Sequence, residues 1–356
     1  MKRAAQWVRD EIRALSAYHV APSAGLVKLD AMENPYRLPA PLAEELGRHL
    51  AGVPVNRYPD PQAPRLKAAL RESMGIPGNL DMVLGNGSDE ILQMIAVALA
   101  RPGSVMLSLE PSFAMYRMSA LAAGMLYEGV PLTPGFAPDL PATLAAIARL
   151  RPALTWIACP NNPTGNLFPR EDILAIVEAS PGLVVVDEAY HAFAGGASFL
   201  DEVGRHPNLV LVRTLSKLGL AGLRLGLAVG PGDWLGEFDK VRLPYNVNAL
   251  TAAAAEFVLA RRGVLDEQTR AIVRDRGALE AGLDAIAGVR RFPSAANFIL
   301  ARVPDAPRAF EALKSRGILV RNLHGSHPLL ADCLRFTVGT PDENAKLLSA
   351  LAPAIG

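Results

Sequence analysis

The sequence predicts an α/β protein in which a larger domain, with a mostly parallel sheet between helices, precedes a smaller α+β domain. Three observations predict this. Between about Met82 and Val229, short apolar runs alternate with helical stretches, the pattern of a parallel sheet covered on both faces. The runs are rich in valine, isoleucine and leucine and stop in glycine, proline or polar residues, as buried strands do. Beyond them, long helical stretches around residues 252–261 and 267–286 precede shorter strand candidates at 298–302, 319–321 and 333–338. The larger domain is set at residues 46–250 and the smaller at 251–356.

In chain order, strand candidate 82–84 runs into Gly85-Asn86-Gly87-Ser88-Asp89-Glu90 and then the apolar run from Ile91 to Ala96. Glycines ahead of a helix whose first turn holds Ser88, Asp89 and Glu90 are a helix-start signal. Taken alone, that is an ordinary capped helix. It is also a phosphate site, with free N–H groups and the positive end of the helix dipole. Candidate 105–109 leads to Pro111, Ser112 and Phe113, and a phenylalanine is usually core. Alanine-rich residues 140–150 form a helix, since alanine is the best helix former. Candidate 155–159 stops in Pro160-Asn161-Asn162-Pro163-Thr164-Gly165. Proline fixes φ and glycine permits positive φ, so this is turn chemistry that also presents the Asn162 amide.

Candidate 183–187, bounded by Pro181-Gly182, ends in Asp187, and Glu188-Ala189-Tyr190 follow. A carboxylate there either caps the next helix or faces a ligand at the carboxyl end of the sheet. Candidate 210–213 leads to Ser216-Lys217, then Gly219, Ala221-Gly222 and Arg224, before candidate 225–229. Most lysines are solvated surface charges. A lysine at this end of a strand nevertheless sits where α/β sheets bind ligands, and its amine is the nucleophile that forms Schiff bases with pyridoxal phosphate (PLP).

Each feature alone has a plain structural explanation. In one chain they supply four matched parts of a PLP site. The helix start at Ser88 and Asp89 would cradle the phosphate. Asn162, with Tyr190, would donate to the ring hydroxyl oxygen. Asp187 would pair with the protonated pyridine nitrogen, and Lys217 would carry the Schiff base.

That order resembles the fold-type I PLP aminotransferases, over nearly the whole chain from about Leu29 to Pro341. Asn162-Pro163-Thr164-Gly165, Asp187-Glu188-Ala189-Tyr190 and Ser216-Lys217 match the family signature. Within the family, the histidinol-phosphate aminotransferase subgroup is most similar. Its resemblance is carried by Leu29-Asp30-Ala31-Met32-Glu33-Asn34-Pro35, Arg57-Tyr58-Pro59-Asp60, Pro111-Ser112-Phe113-Ala114-Met115-Tyr116 and Leu334-Arg335-Phe336-Thr337-Val338-Gly339-Thr340.

The resemblance implies PLP as cofactor, with Lys217, Asp187 and Tyr190 as catalytic residues, Phe113 stacked on the ring, and Ser216 and Arg224 joining Ser88 and Asp89 on the phosphate, to which arginine's planar fork is suited. It implies that Tyr58 reaches the phosphate of the neighbouring subunit, so that a homodimer shares its active sites. Arg335, with Arg321 as a second candidate, would bind the acidic end of substrates, and Tyr18 and Glu33 match substrate-side positions. Residues 1–45 would form an arm joined to the smaller domain. The implied reaction is reversible transamination of histidinol phosphate with 2-oxoglutarate, giving imidazole acetol phosphate and glutamate, in histidine biosynthesis. Two departures stand out. The loop from Lys217 to Arg224 is one residue shorter than in many relatives, and Asp30 and Met32 stand where the subgroup often has asparagines.

Composition narrows the alternatives. Lys+Arg at 36 against Asp+Glu at 35 leaves a near-neutral balance, so no nucleic-acid or membrane partner is expected. Cys159 and Cys333 form no disulfide framework or metal spacing, and the Glu188/His191 pair lacks partners, so no metal is expected. The start of the chain has no apolar leader, which points to a cytoplasmic protein. Aromatic-amino-acid aminotransferases and threonine-phosphate decarboxylase share the PLP residues and remain open as alternatives. A PLP-binding transcription regulator is disfavoured, because the segment ahead of Glu33 is too short for a helix-turn-helix domain and linker. A dehydrogenase is disfavoured because Glu90 stands where a dinucleotide-binding loop has its third glycine.

Overall fold

The computed structural model describes residues 3–17 and 21–356, so Tyr18 lies outside the described residues. Among these, twelve strands form two sheets. In chain order they are β1 (Val27–Leu29), β2 (Asp81–Asn86), β3 (Val105–Glu110), β4 (Leu126–Pro131), β5 (Leu154–Ala158), β6 (Leu183–Asp187), β7 (Leu209–Thr214), β8 (Leu225–Gly230), β9 (Arg290–Arg291), β10 (Phe298–Arg302), β11 (Ile318–Asn322) and β12 (Cys333–Thr337).

The seven-stranded sheet has the order β2-β8-β7-β6-β5-β3-β4. Its strands pair in parallel from β4 through β7, and β8 runs antiparallel to both neighbours. The valine-rich run of β6 is buried along its whole length because helices cover both faces. Val184 and Val186 join one apolar cluster with Ile173 and Ile176, while Val185 joins another with Ile91 and Ile95. Register places Ala158 beside Asp187 and Asp187 beside Val212. The turns that follow β5, β6 and β7 therefore leave the sheet at one edge, which brings residues far apart in sequence together.

The five-stranded sheet has the order β1-β11-β12-β10-β9. Its β1 pairs in parallel with β11, Val27 opposite Ile318, so a segment near the start of the chain completes a sheet built near its end. The connection is reinforced along that segment. Asn34 Nδ2 donates to Gln268 Oε1 at 2.9 Å, and Tyr36 Oη donates to Asp275 Oδ2 at 2.9 Å, both acceptors lying on the helix Gly263–Asp284. Asn34 Nδ2 also donates to Leu218 O at 3.2 Å, beside Lys217. One residue thus ties the first segment, the lysine turn and the long helix together.

Candidate active site

Ser88, Asp89, Phe113, Asn162, Asp187, Tyr190, Ser216, Lys217 and Arg224 all line one cavity of about 100 Å³ at the carboxyl edge of the larger sheet. Lys217 lies in a short 3-10 turn, Ser216–Leu218, directly after β7. Its Nζ donates to Ala31 O at 3.3 Å and stands 5.9 Å from the Tyr190 ring centroid. Burial, helped by the positive charge of Arg335, pushes its pKa down to about 8. A larger share of the amine is therefore neutral and nucleophilic near neutral pH than for an exposed lysine.

Asp187 ends β6 with 6% of its surface exposed. Its Oδ2 accepts from Tyr116 Oη at 2.8 Å and its Oδ1 from the Ala189 N–H at 3.0 Å. Burial pushes its pKa up to about 6, while those two hydrogen bonds act to keep the charge. Across the cavity, Asn162 Nδ2 donates to Tyr190 Oη at 3.3 Å, which brings the two predicted hydroxyl donors into contact. Phe113 meets Tyr116 edge to face at 5.7 Å.

The remaining side is cationic and donor-rich. The helix Ser88–Leu99 starts at Gly87 with no side-chain cap, so the N–H groups of its first turn are not capped. Arg224 Nη1 donates to Ser216 Oγ at 3.4 Å, and its Nη2 stands 3.5 Å from Asp89 Oδ2. Two glycines make this closeness possible. A Cβ on Gly87, whose φ is +86°, would strike the Arg224 guanidinium, and a Cβ on Gly226 would lie 2.5 Å from Ser88 N. Helix start, serine hydroxyl and guanidinium converge as an anion cradle.

An adjoining cavity of about 350 Å³ shares Met32, Phe113 and Asn162 with the first and is lined by both Arg321 and Arg335. These arginines come from β11 and β12 and stand directly opposite each other in the register. Like charges placed so repel across a sheet, and the carboxylate-bearing Glu110 lines the same cavity. Arg335 is buried, donating to Asn162 Oδ1 at 2.5 Å and to Asp30 O at 2.8 Å.

Two predicted residues stand apart. Tyr58 is 80% exposed, stacks on Tyr245 at 4.4 Å and lines neither cavity. Glu33 is exposed, accepts from Lys28 Nζ at 2.6 Å and also lines neither.

The sequence reading missed Tyr116, Met32 and Thr214 as parts of the cavity wall. It also missed the pair formed by Glu188 and Arg213, 1% and 4% exposed, with Arg213 Nε donating to Glu188 Oε2 at 3.0 Å. The pair clamps the end of β6 to β7, the strands that carry Asp187 and lead to Lys217. Tyr116 had a readable signal, since it follows Phe113 by one helical turn and faces the same way. Arg213 had none, because an arginine inside a valine-rich strand marks no partner. Glu188 is thus committed to Arg213 and Ser198, and among the described residues no cluster of acidic, histidine or cysteine side chains could hold a metal. Among them, too, no helix is long and apolar enough to cross a membrane.

A nucleophilic lysine and a buried carboxylate at the ends of adjacent parallel strands, beside an anion cradle, define an enzyme of group transfer to and from amines. The chain belongs to the aminotransferase class I and II family, whose model matches residues 24–351. It is 55% identical over 346 residues to the histidinol-phosphate aminotransferase of Chromobacterium violaceum, covering 97% of each chain. It is 52% identical over 351 residues to histidinol-phosphate aminotransferase 2 of Nitrosococcus oceani, covering 98% of this chain and 97% of that one. Its fold superposes with a TM-score of 0.88 on the crystal structure of histidinol-phosphate aminotransferase from Sinorhizobium meliloti in complex with pyridoxal-5'-phosphate, at 28% identity and covering 98% of this chain and 97% of that one.

Proposed function

We propose that this chain is a PLP-dependent aminotransferase that transfers the amino group of histidinol phosphate to 2-oxoglutarate, giving imidazole acetol phosphate and glutamate reversibly, in the cytoplasmic synthesis of histidine. The observation that carries this is the joining of two cavities through Asn162 and Phe113. One has the donors and cradle that suit PLP, and the other is lined by Arg321 and Arg335, which stand opposite each other in the register of β11 and β12. Histidinol phosphate lacks a carboxylate, so its recognition must rest on phosphate, and a second guanidinium beside the first suits a doubly charged group.

The fit to PLP rests on the cradle that a Cβ on Gly87 would fill and on the donors at each expected position. When bound, the cofactor supplies an aldehyde that takes up the amine and a ring that delocalises the electron pair left by a departing proton. Arg224, Ser216 and the helix start at Ser88 and Asp89 would hold its phosphate. Asn162 and Tyr190 would donate to its hydroxyl oxygen, Asp187 would keep its ring nitrogen protonated, and Phe113 would cover one face. Lys217 Nζ would bond the cofactor at rest. Once released by the substrate amine, it would take the proton from the amine-bearing carbon. With its pKa lowered to about 8, that amine can both accept and return a proton near neutral pH.

The same reading makes the protein a homodimer with shared sites. The exposure of Val55, Tyr58, Leu243 and Tyr245, with Tyr58 stacked on Tyr245, supports this reading, since a partner chain would cover such apolar side chains. Tyr58 would then serve the partner's cofactor phosphate. The arm of residues 1–45 belongs with residues 251–356 in this reading, supported by the pairing of β1 with β11, and residues 46–250 hold the cofactor. Purified protein supplied with PLP, histidinol phosphate and 2-oxoglutarate should release glutamate in steady state. Failure to do so in the presence of bound PLP would remove the substrate assignment.

A further inference from the structure

We propose that Tyr116 is a positioning residue for this reaction, its phenol holding the Asp187 carboxylate charged and aimed at the cofactor's ring nitrogen. The inference rests on the PLP reading above and gives a role to a side chain that reading left unused. Tyr116 is fully buried on the helix Ala114–Ala123, and its Oη donates to Asp187 Oδ2 at 2.8 Å. A phenol has one proton to donate, and an ionised carboxylate can only accept. This hydrogen bond therefore exists in full strength only while Asp187 is charged.

The ring cannot swing away. It stacks on Trp156 of β5 at 5.2 Å and 9°, and Phe113 abuts it edge-on. Asp187 Oδ1 is held by the Ala189 N–H, so each oxygen has one fixed donor while each keeps a further lone pair for a ligand. The need for such support comes from the surroundings. Burial works against the carboxylate charge, and the charges of Asp89 and Glu188 add to that, whereas the Tyr116 and Ala189 hydrogen bonds act the other way. Tyr116 itself stays a donor, because burial and the adjacent Asp187, with Tyr190 and Tyr127 nearby, push its own pKa well above 10. A neutral Asp187 could not hold the ring nitrogen in its cationic form. One helix start would thereby supply both the face that covers the ring, Phe113, and the donor that sets its electronics, Tyr116.

Tyr116→Phe removes the hydroxyl and keeps the ring packing. PLP dissociation from the holoprotein, the pH dependence of its resting absorbance, and thermal unfolding with and without PLP should be measured for both forms. We expect PLP affinity to fall roughly ten- to hundredfold, the range for losing a hydrogen bond to a charged group. The pH midpoint of the absorbance change should shift, and the rise in unfolding midpoint that PLP confers should be smaller than in the unaltered protein. In an Asp187→Asn background the same change should have little further effect on PLP affinity, because the charged acceptor is already gone. Unchanged affinity and pH profile, an equal effect in the Asp187→Asn background, or an undiminished rise in unfolding midpoint on adding PLP would each overturn the positioning role. If the unaltered protein bound no PLP at all, the cofactor reading would fall first, and with it this inference.

Discussion

The two ends of the site are built in different ways. Around the smaller cavity, Asp187 ends one of three adjacent parallel strands and Asn162 and Lys217 lie in the turns after the other two, so their spacing is set by the register of one sheet. Around the larger cavity, Arg321 and Arg335 come from another sheet, and that sheet is completed by β1 near the start of the chain. The proposed cofactor end is therefore spaced chiefly by one sheet, with Arg335 and Ala31 reaching into it from outside that sheet. The proposed substrate end depends on how two sheets and the first segment meet, with Asn34 and Asp30 among the links. Chemistry should be lost by changes at the first end, and selectivity by changes at the second.

That contrast is tested most severely by Lys217→Ala. It should reduce turnover by about 10⁴-fold or more, the scale seen when a nucleophile that acts with its partners is removed. It should also abolish the mass increase after borohydride treatment of the PLP-loaded protein. Retained turnover would break the assignment of the cofactor end. Arg335→Ala should act differently. Its buried guanidinium holds Asn162 and the first segment, so kcat/KM for phosphorylated substrate should fall roughly 10²-fold while PLP stays bound, in line with truncation of a buried charged partner. Arg321→Ala, less buried, should raise KM about tenfold with kcat nearly kept. Equal losses of PLP affinity in all three variants would erase the distinction between the ends.

The smallest expected effect concerns pH. Below about 8 Lys217 is mostly protonated and cannot attack the cofactor's aldehyde. The rate at which PLP-free protein captures PLP should therefore rise with pH and level off above a midpoint near 8, not near 10.5. A stopped-flow absorbance series across that range reads the midpoint directly.

The same contrast explains what was legible in the sequence. Asp187 and Lys217 stood out because each ends or follows an apolar run, and strand end and ligand site coincide in α/β sheets. Strand β4 was not foreseen, since an edge strand interrupted by Gly129 and largely half-exposed carries little apolar pattern. Nor was the reversal of β8, because residues buried on both faces look alike in either direction. The pairing of Val27 with Ile318 and the facing of Arg321 and Arg335 are non-local, and no short-range pattern encodes them. Tyr58 shows the same limit in another form. The resemblance gave it a role toward a partner subunit, and among the described residues of one chain it stacks on Tyr245.

The most direct test of the central claim is a half-reaction followed by absorbance. PLP-loaded protein would be mixed separately with L-histidinol phosphate and with L-phenylalanine, in the absence of any keto acid. Rapid conversion of the cofactor to its aminated form with histidinol phosphate, and little with phenylalanine, is the predicted result. Strong conversion with phenylalanine and none with histidinol phosphate would contradict it, leaving the chemistry of Lys217 and Asp187 in place but assigning the arginine-lined cavity to aromatic amino acids.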